Sequence, residues 1–233
     1  MANIIRKSDC LTFLQNISNN SVNLVLTDPP YYISKKTGFA RGGGKQFDRI
    51  KISKDFGAWD REENRIDLPE VCREFHRILK PGGTAIVFYD SWEVTTLRNW
   101  LESTGFRMFR TIEWVKTNPT PINQRISYLG NARELAIVAV KGSKPTFHGK
   151  YDNGVYSFPI PRVPKGEERH PTMKPLRLFE ELVTKHSNPG DIVLDCFLGS
   201  GTAAVAAKNL NREIWGCEKD PGYYRMILQS LRR

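Results

Sequence analysis

Short apolar runs alternate along the chain with stretches of helical period. VNLVLTD (22–28), TAIVFYD (84–90), RTIEWVK (110–116), ELAIVAV (134–140) and DIVLDCF (191–197) are nearly continuous in apolar residues, as strands buried on both faces are. EIWGCE (213–218) and the short NIIRK (3–7) read as further strands. Between them, DLPEVCREFHRILK places Leu68, Val71, Phe75, Ile78 and Leu79 on one helical face, with Asp67 at its N-cap and Pro81-Gly82-Gly83 as its expected stop. WEVTTLRNWLESTG turns Val94, Leu97, Trp100 and Leu101 inward and ends at Gly105, a residue type suited to the left-handed position after a helix. LRLFEELVTKHSNPG and TAAVAAKNL show the same period. Strands alternating with helices predict an α/β fold, a mostly parallel sheet with helices on both faces.

Three stretches, 32–57, 117–131 and 142–170, fit neither period, and long irregular segments in a compact domain are usually functional. Charge changes how two of them read. The net +10 is uneven: Lys35, Lys36, Arg41, Lys45, Arg49, Lys51 and Lys54 face only Asp48 within 32–54, and 141–177 carries eight Lys/Arg against Asp152, Glu167 and Glu168. The rest of the chain is close to neutral, so the positive charge is placed where a polyanion could meet it. A pair of solvated loops would look the same, so charge alone leaves both readings open. With 233 residues the chain suits a single domain, 1–233, and 29 residues (142–170) cannot build a second core. Cys10, Cys72, Cys196 and Cys217 show no CxxC spacing, which favours reduced thiols in a cytoplasmic protein and no structural zinc or other metal. MANIIRKSDC has no apolar h-region, so no secretory signal is expected.

Two strand ends carry unusual chemistry. VNLVLTDPPYY finishes a strand and then presents the Asp28 carboxylate, two prolines that forbid helix and ladder, and the flat ring of Tyr31. Such a rigid extended turn suits a planar, amine-bearing substrate; a capping Asp28 and a packed Tyr31 would be its structural counterpart. DIVLDCFLGSGTAAVAA runs from a strand through a glycine turn into a helix, where Gly199 and Gly201 let the backbone approach a ligand closely. Glu218 ends the next strand, placed to accept hydrogen bonds from ribose hydroxyls. A nicotinamide-dependent enzyme would meet the same tests, although its other strands would follow the glycine turn and not precede it.

The order Asp28-Pro29-Pro30-Tyr31, then a basic stretch, then His170-Pro171-Thr172-Met173-Lys174-Pro175, then Asp195-Cys196-Phe197-Leu198-Gly199-Ser200-Gly201-Thr202 resembles the β-class amino-DNA methyltransferases over essentially the whole chain. SDCLTFL and GCEKDPGYY also look like family segments, and Cys196 stands where the family usually has proline. The resemblance implies a three-layer, Rossmann-like S-adenosylmethionine methyltransferase fold with a mostly parallel seven-stranded sheet and a circularly permuted motif order. The strands ending at Asp28 and Phe197 would be central neighbours, and the N-terminal strand would lie beyond the one ending at Glu218.

It further implies S-adenosylmethionine as cofactor. Asp9 would sit near its adenine amine beside the Cys10 and Leu11 backbone, and Glu218 at its ribose. Asp195, Phe197, Gly199, Ser200, Gly201 and Thr202 would surround the methionine moiety, with Thr172 and Lys174 at its carboxylate. Asp28, Pro29, Pro30 and Tyr31 would hold a target base flipped out of double-stranded DNA. Adenine N6 is the expected acceptor, because the family tends to carry aspartate at this position for adenine and serine for cytosine N4. No cysteine follows a proline, which disfavours the thiolate chemistry of C5-cytosine methylation. A catalytically silent DNA-binding subunit is the reading from a different class. The glycine-rich segment 32–57, with Lys35, Lys36, Arg41, Lys45, Arg49 and Lys51, is expected to be a mobile phosphate-binding loop. Segment 142–170, with Phe147, His148, Tyr151 and Tyr156, is expected to read base edges. A homodimer and a companion restriction endonuclease, in a bacterial or phage setting, are the further partners the resemblance leaves open.

Overall fold

The computed structural model describes residues 3–30, 66–119, 130–162 and 173–232. By internal contact the chain divides into Met1–Pro29 with Asp67–Arg233, and Pro30–Ile66; every element below belongs to the first unit. In chain order these are β1 (Ile4–Lys7), α1 (Cys10–Gln15), β2 (Val22–Thr27), α2 (Leu68–Ile78), β3 (Leu79–Tyr89), α3 (Val94–Ser103) and β4 (Arg107–Lys116). There follow β5 (Arg133–Val140), β6 (Val155–Phe158), α4 (Leu176–His186), β7 (Ile192–Asp195), α5 (Thr202–Asn209), β8 (Glu213–Glu218) and α6 (Pro221–Ser230).

The strands form one sheet in the order β1-β8-β7-β2-β3-β5-β4-β6. Every adjacent pair is parallel except the two that β5 makes, so β5 is the one reversed strand. From β2 the chain winds outward through β3, and from β7 it winds the other way through β8. Strand order therefore reverses between β2 and β7, the place where open α/β sheets gather ligands at their carboxyl ends. Helices α1, α2 and α3 pack as one layer, and α4 and α5 as the other. On the latter face Leu24, Leu26, Ile86, Phe88, Trp114, Val138 and Val193 meet Leu178, Phe179, Leu182, Ala203, Ala207 and Ile227 in one core. Each large aliphatic group buried there stabilises the fold by roughly 1.5–3 kcal/mol relative to exposure.

The expected seven strands become eight. The added strand, β6, comes from segment 142–170 and pairs with β4 at the sheet edge. It has four residues, of which only Tyr156 is buried, too short to register as a strand in the sequence. Three other hydrogen-bonded contacts pin this segment. The Trp114 indole N–H donates to the Phe158 carbonyl at 2.9 Å, the Ile160 N–H donates to Asn118 Oδ1 at 2.6 Å, and Lys185 Nζ donates to Asp152 Oδ2 at 2.7 Å. Tyr156 is buried and also gives its hydroxyl proton to Asp152, whereas Tyr151 is 86% exposed.

Local signals explain most helix ends. Asp67 caps α2 through the Glu70 N–H at 3.1 Å, and Gly105, at φ +105°, follows α3. Asp220 caps α6 through the Gly222 and Tyr223 N–H groups. The expected stop at Pro81-Gly82-Gly83 is corrected: α2 already ends at Ile78, and those residues form an irregularity inside β3, where the pairing jumps from Val22↔Leu79 to Leu24↔Thr84. Proline and the glycines interrupt a strand there, as a bulge allows. α1 is six residues long, too short to show a helical period.

A close backbone approach lies between β7 and β8. Gly216 stands opposite Asp195, and a Cβ at 216 would lie well inside van der Waals contact distance of the Asp195 carbonyl oxygen. Gly216→Ala is therefore expected to cost about 2–3 kcal/mol, read as a lowered urea midpoint at unchanged m-value; an unchanged midpoint would contradict this packing.

Candidate active site

β2 ends at Thr27 and β7 ends at Asp195, and the two strand ends touch. The Thr27 hydroxyl donates to Asp195 Oδ1 at 2.6 Å, across 168 residues of sequence, with both side chains buried. Just beyond these ends stand Asp28 and buried Pro29 on one strand, and the turn from Cys196 to Thr202 on the other.

The turn's shape follows from its glycines. Gly199 (φ +49°) and Gly201 (φ +81°) both lie in the left-handed region, and Gly201 is the residue from which α5 starts. A side chain at 201 would also press on Ile227 of α6. The Phe197 N–H donates to Asp195 Oδ1 at 3.0 Å, and Ser200 and Thr202 hydroxyls lie 3.0 Å apart. Glu218, at the end of β8, accepts from the Gly199 N–H and from the Asp220 N–H, each at 2.8 Å. Its carboxylate thus locks the glycine turn against the start of α6. Burial pushes the Glu218 carboxyl above its usual value.

Beside β8 lies the end of β1, where the Ser8 N–H donates to the Glu218 carbonyl. Asp9 follows and caps α1 through the Thr12 N–H at 2.9 Å; Cys10 is buried and Leu11 half-buried behind it. Cys10, Cys196 and Cys217 come close enough to influence one another's charge, though they are far apart in sequence. All four thiols are buried and burial raises every one of them, Cys10 and Cys72 to about 12. None is a thiolate at neutral pH, so they act as apolar filling.

Lys174 precedes α4 and reaches across to β2. It is only 4% exposed, and its ammonium pairs with Asp28 Oδ2 and with Glu134 Oε2, the latter at 3.0 Å. Glu134 Oε1 pairs in turn with Lys116 at 2.7 Å. Burial alone would raise the Glu134 carboxyl, but Lys174 and Lys116 outweigh it and hold the group below its usual value, ionised at neutral pH.

The structure thus gathers Asp28, Pro29, Lys174, Asp195, Phe197, Gly199, Ser200, Gly201, Thr202 and Glu218 around one rim, with Asp9, Cys10 and Leu11 next to Glu218. Pro30 follows Pro29 and is half-buried. Tyr31, Thr172, Lys35, Lys36, Arg41, Lys45, Arg49 and Lys51 lie outside the described residues. Thr27, Glu134 and Lys116 were not singled out by sequence. Thr27 looked like strand filling, and Glu134 reaches the rim only because β5 runs backwards, which no local pattern signals.

Asp195 is the most strongly perturbed carboxyl of the site. Burial pushes it up to about 7, with Asp28 and Glu218 adding repulsion and the Thr27 and Phe197 donors partly offsetting the rise. The folded state therefore holds a proton that the unfolded chain releases near 3.8. Between those values folding is progressively disfavoured as pH rises, by up to about 4 kcal/mol. Asp195→Asn removes this titration, so the stability of the variant relative to wild type is expected to climb from pH 4 to pH 7 and level off above. Urea denaturation at a series of pH values measures this, and a pH-independent difference would refute it.

The profile of the DNA methylase family matches residues 22–229 of the chain. The type II methyltransferase M2.DpnII of Streptococcus pneumoniae is 30% identical over 245 residues, covering 98% of this chain and 89% of that protein. Among solved structures, that of the M1.HpyAVI–SAM complex superposes with a TM-score of 0.74 at 27% identity, with both chains covered in full. The cytosine-N4-specific PvuII DNA methyltransferase superposes with a TM-score of 0.73 at 18% identity over 99% of this chain and 86% of that one, a likeness of fold. With a glycine-turn rim and an acidic proline turn meeting at the switch point of such a sheet, the chain belongs to the N6/N4 DNA methylase family.

Proposed function

We propose that this protein is an S-adenosylmethionine-dependent methyltransferase that methylates the N6 amine of adenine in double-stranded DNA. The observation that carries the reading is the side-by-side placement of β2 and β7, joined by Thr27 and Asp195, which sets Asp28 and the glycine turn on one crevice.

The residues fit the cofactor chemically. A glycine turn with left-handed Gly199 and Gly201 presents backbone without side chains, Asp195 and Glu218 offer acceptors along it, and Asp9 stands beyond Glu218. When bound, S-adenosylmethionine supplies an electrophilic sulfonium methyl. Asp195 suits its ammonium group, Glu218 its ribose hydroxyls, Asp9 its adenine amine and Thr172 its carboxylate; Lys174, also expected at that carboxylate, is already paired with Asp28 and Glu134.

The exocyclic amine of adenine is a poor nucleophile because its lone pair is delocalised into the ring. Asp28 and the Pro29 carbonyl accept its two hydrogens, draw the nitrogen toward tetrahedral geometry and localise the lone pair for in-line attack. Transfer would break the donor's carbon–sulfur bond, leaving a neutral thioether, and the surplus proton on the methylated amine would pass to the Asp28 carboxylate and from there to water. Positioning and electrostatics supply the acceleration, with no covalent enzyme intermediate. Pro30 keeps the turn extended and Tyr31 stacks on the flipped base. The aspartate at position 28 favours adenine over cytosine N4. Residues 32–57 grip phosphates, Tyr151 and its neighbours in 142–170 contact the duplex, and a companion endonuclease fits the type II relatives.

Asp28→Ala is expected to keep S-adenosylmethionine affinity within about threefold while labelled-methyl transfer to unmethylated genomic DNA falls at least about 100-fold; wild-type turnover would remove Asp28 from the mechanism. Nucleoside digestion of the product separates N6-methyladenine from N4-methylcytosine. Affinity for DNA is expected to fall steeply between 50 and 200 mM salt, by orders of magnitude if several phosphates are neutralised. A flat salt dependence would detach the basic segments from DNA binding.

A further inference from the structure

Four charged side chains of alternating sign run inward from the sheet rim: Lys116, Glu134, Lys174 and Asp28. Lys116 pairs with Glu134 Oε1 at 2.7 Å and lies over the Trp114 ring, 5.2 Å from its centroid. Glu134 Oε2 pairs with Lys174 at 3.0 Å, and Lys174, 5.2 Å over the Phe88 ring, pairs with Asp28. Side-chain exposure is 13% for Lys116, 24% for Glu134, 4% for Lys174 and 18% for Asp28, so solvent screens these pairs weakly.

The arrangement is more than a surface ion pair. A buried ammonium with one carboxylate partner would place its whole charge on that partner. Here the partner is the group that has to accept the hydrogens of a base amine, and a carboxylate neutralised by a cation is a weaker acceptor. Glu134 supplies a second carboxylate to the same ammonium. Lys174 and Lys116 together keep Glu134 ionised, and Lys116 fixes its other oxygen, so Glu134 is oriented before any substrate arrives.

We infer that Glu134 is a positioning residue for methyl transfer: by sharing Lys174 with Asp28, it divides the lysine's charge between two carboxylates and preserves the acceptor strength of Asp28. The inference rests on the proposed role of Asp28 as acceptor of the amine hydrogens. The reversed direction of β5 is what makes it possible, since it brings the first residues of that strand, and not its last, to the catalytic rim. A purely stabilising Glu134 would change the unfolding midpoint and leave the rate of the chemical step alone.

The test uses the full chain, labelled S-adenosylmethionine and unmethylated genomic DNA, with single-turnover rates measured at saturating cofactor and cofactor affinity measured separately. Glu134→Gln keeps the size and removes the charge. It is expected to slow transfer about tenfold or more while S-adenosylmethionine affinity stays within about threefold. Glu134→Asp, which keeps the charge, is expected to recover part of the rate. Lys116→Met, which loosens Glu134 without touching Lys174, should lower the rate in the same direction by about two- to fivefold. Should Glu134→Gln fail to fold, Lys116→Met carries the test with the same readouts. A Glu134→Gln rate within twofold of wild type overturns the inference, as does a loss that Glu134→Asp does not relieve or one matched by an equal loss of cofactor affinity. A wild-type protein that transfers no methyl group to DNA overturns the functional reading itself, a result distinct from any of these.

Discussion

The contact on which the site depends is the parallel pairing of β2 with β7, closed at its end by the buried hydrogen bond from Thr27 to Asp195. Sheet order reverses at this pair, the point at which open α/β sheets form their ligand crevice. Everything proposed for the chemistry follows from what stands just beyond those two ends. The acidic proline turn follows one strand and the glycine turn follows the other. Neither would have a partner if the strands were separated by another. A buried carboxylate without a donor is costly, so the Thr27 hydroxyl fixes the juxtaposition as well as the fold.

Among the described residues around that pair, carboxylates outnumber cations at the rim, and the protein distributes them by local partners. Glu218 is tied down by two backbone N–H groups, Asp9 by the start of α1, and Asp195 by a hydroxyl and one N–H. Asp28 and Glu134 share Lys174. Each carboxylate is held in one orientation before a ligand arrives, which is what preorganised electrostatics requires. The cost falls on Asp195, which is buried most completely and has the fewest compensating charges.

Much of this was legible in the sequence because the relevant signals are local. Apolar runs such as VNLVLTD and DIVLDCF announced buried strands, Asp67 and Gly105 marked helix ends, and the glycines at 199 and 201 needed positive φ whatever surrounded them. What sequence could not show depends on direction and register. The reversal of β5 places Glu134 at the rim, and the closing of β2 on β7 turns Thr27 from strand filling into a donor. Four residues of β6 carry too little alternation to declare a strand, and Pro81-Gly82-Gly83 looked like a helix stop because the bulge it makes in β3 is a property of the pairing, not of the segment. The apparent scatter of the cysteines was a matter of sequence distance alone, since three of them converge.

β6 lies at the outermost edge of the sheet, joined to β4 on one side and tied to α4 through Lys185 and Asp152. Inner ladders do not depend on an edge strand, so a segment hung there can lengthen, shorten or change its side chains while the strands that frame the crevice keep their register. Divergence between relatives would then concentrate at this margin, and a chimaera exchanging only that margin would leave the inner strands in register.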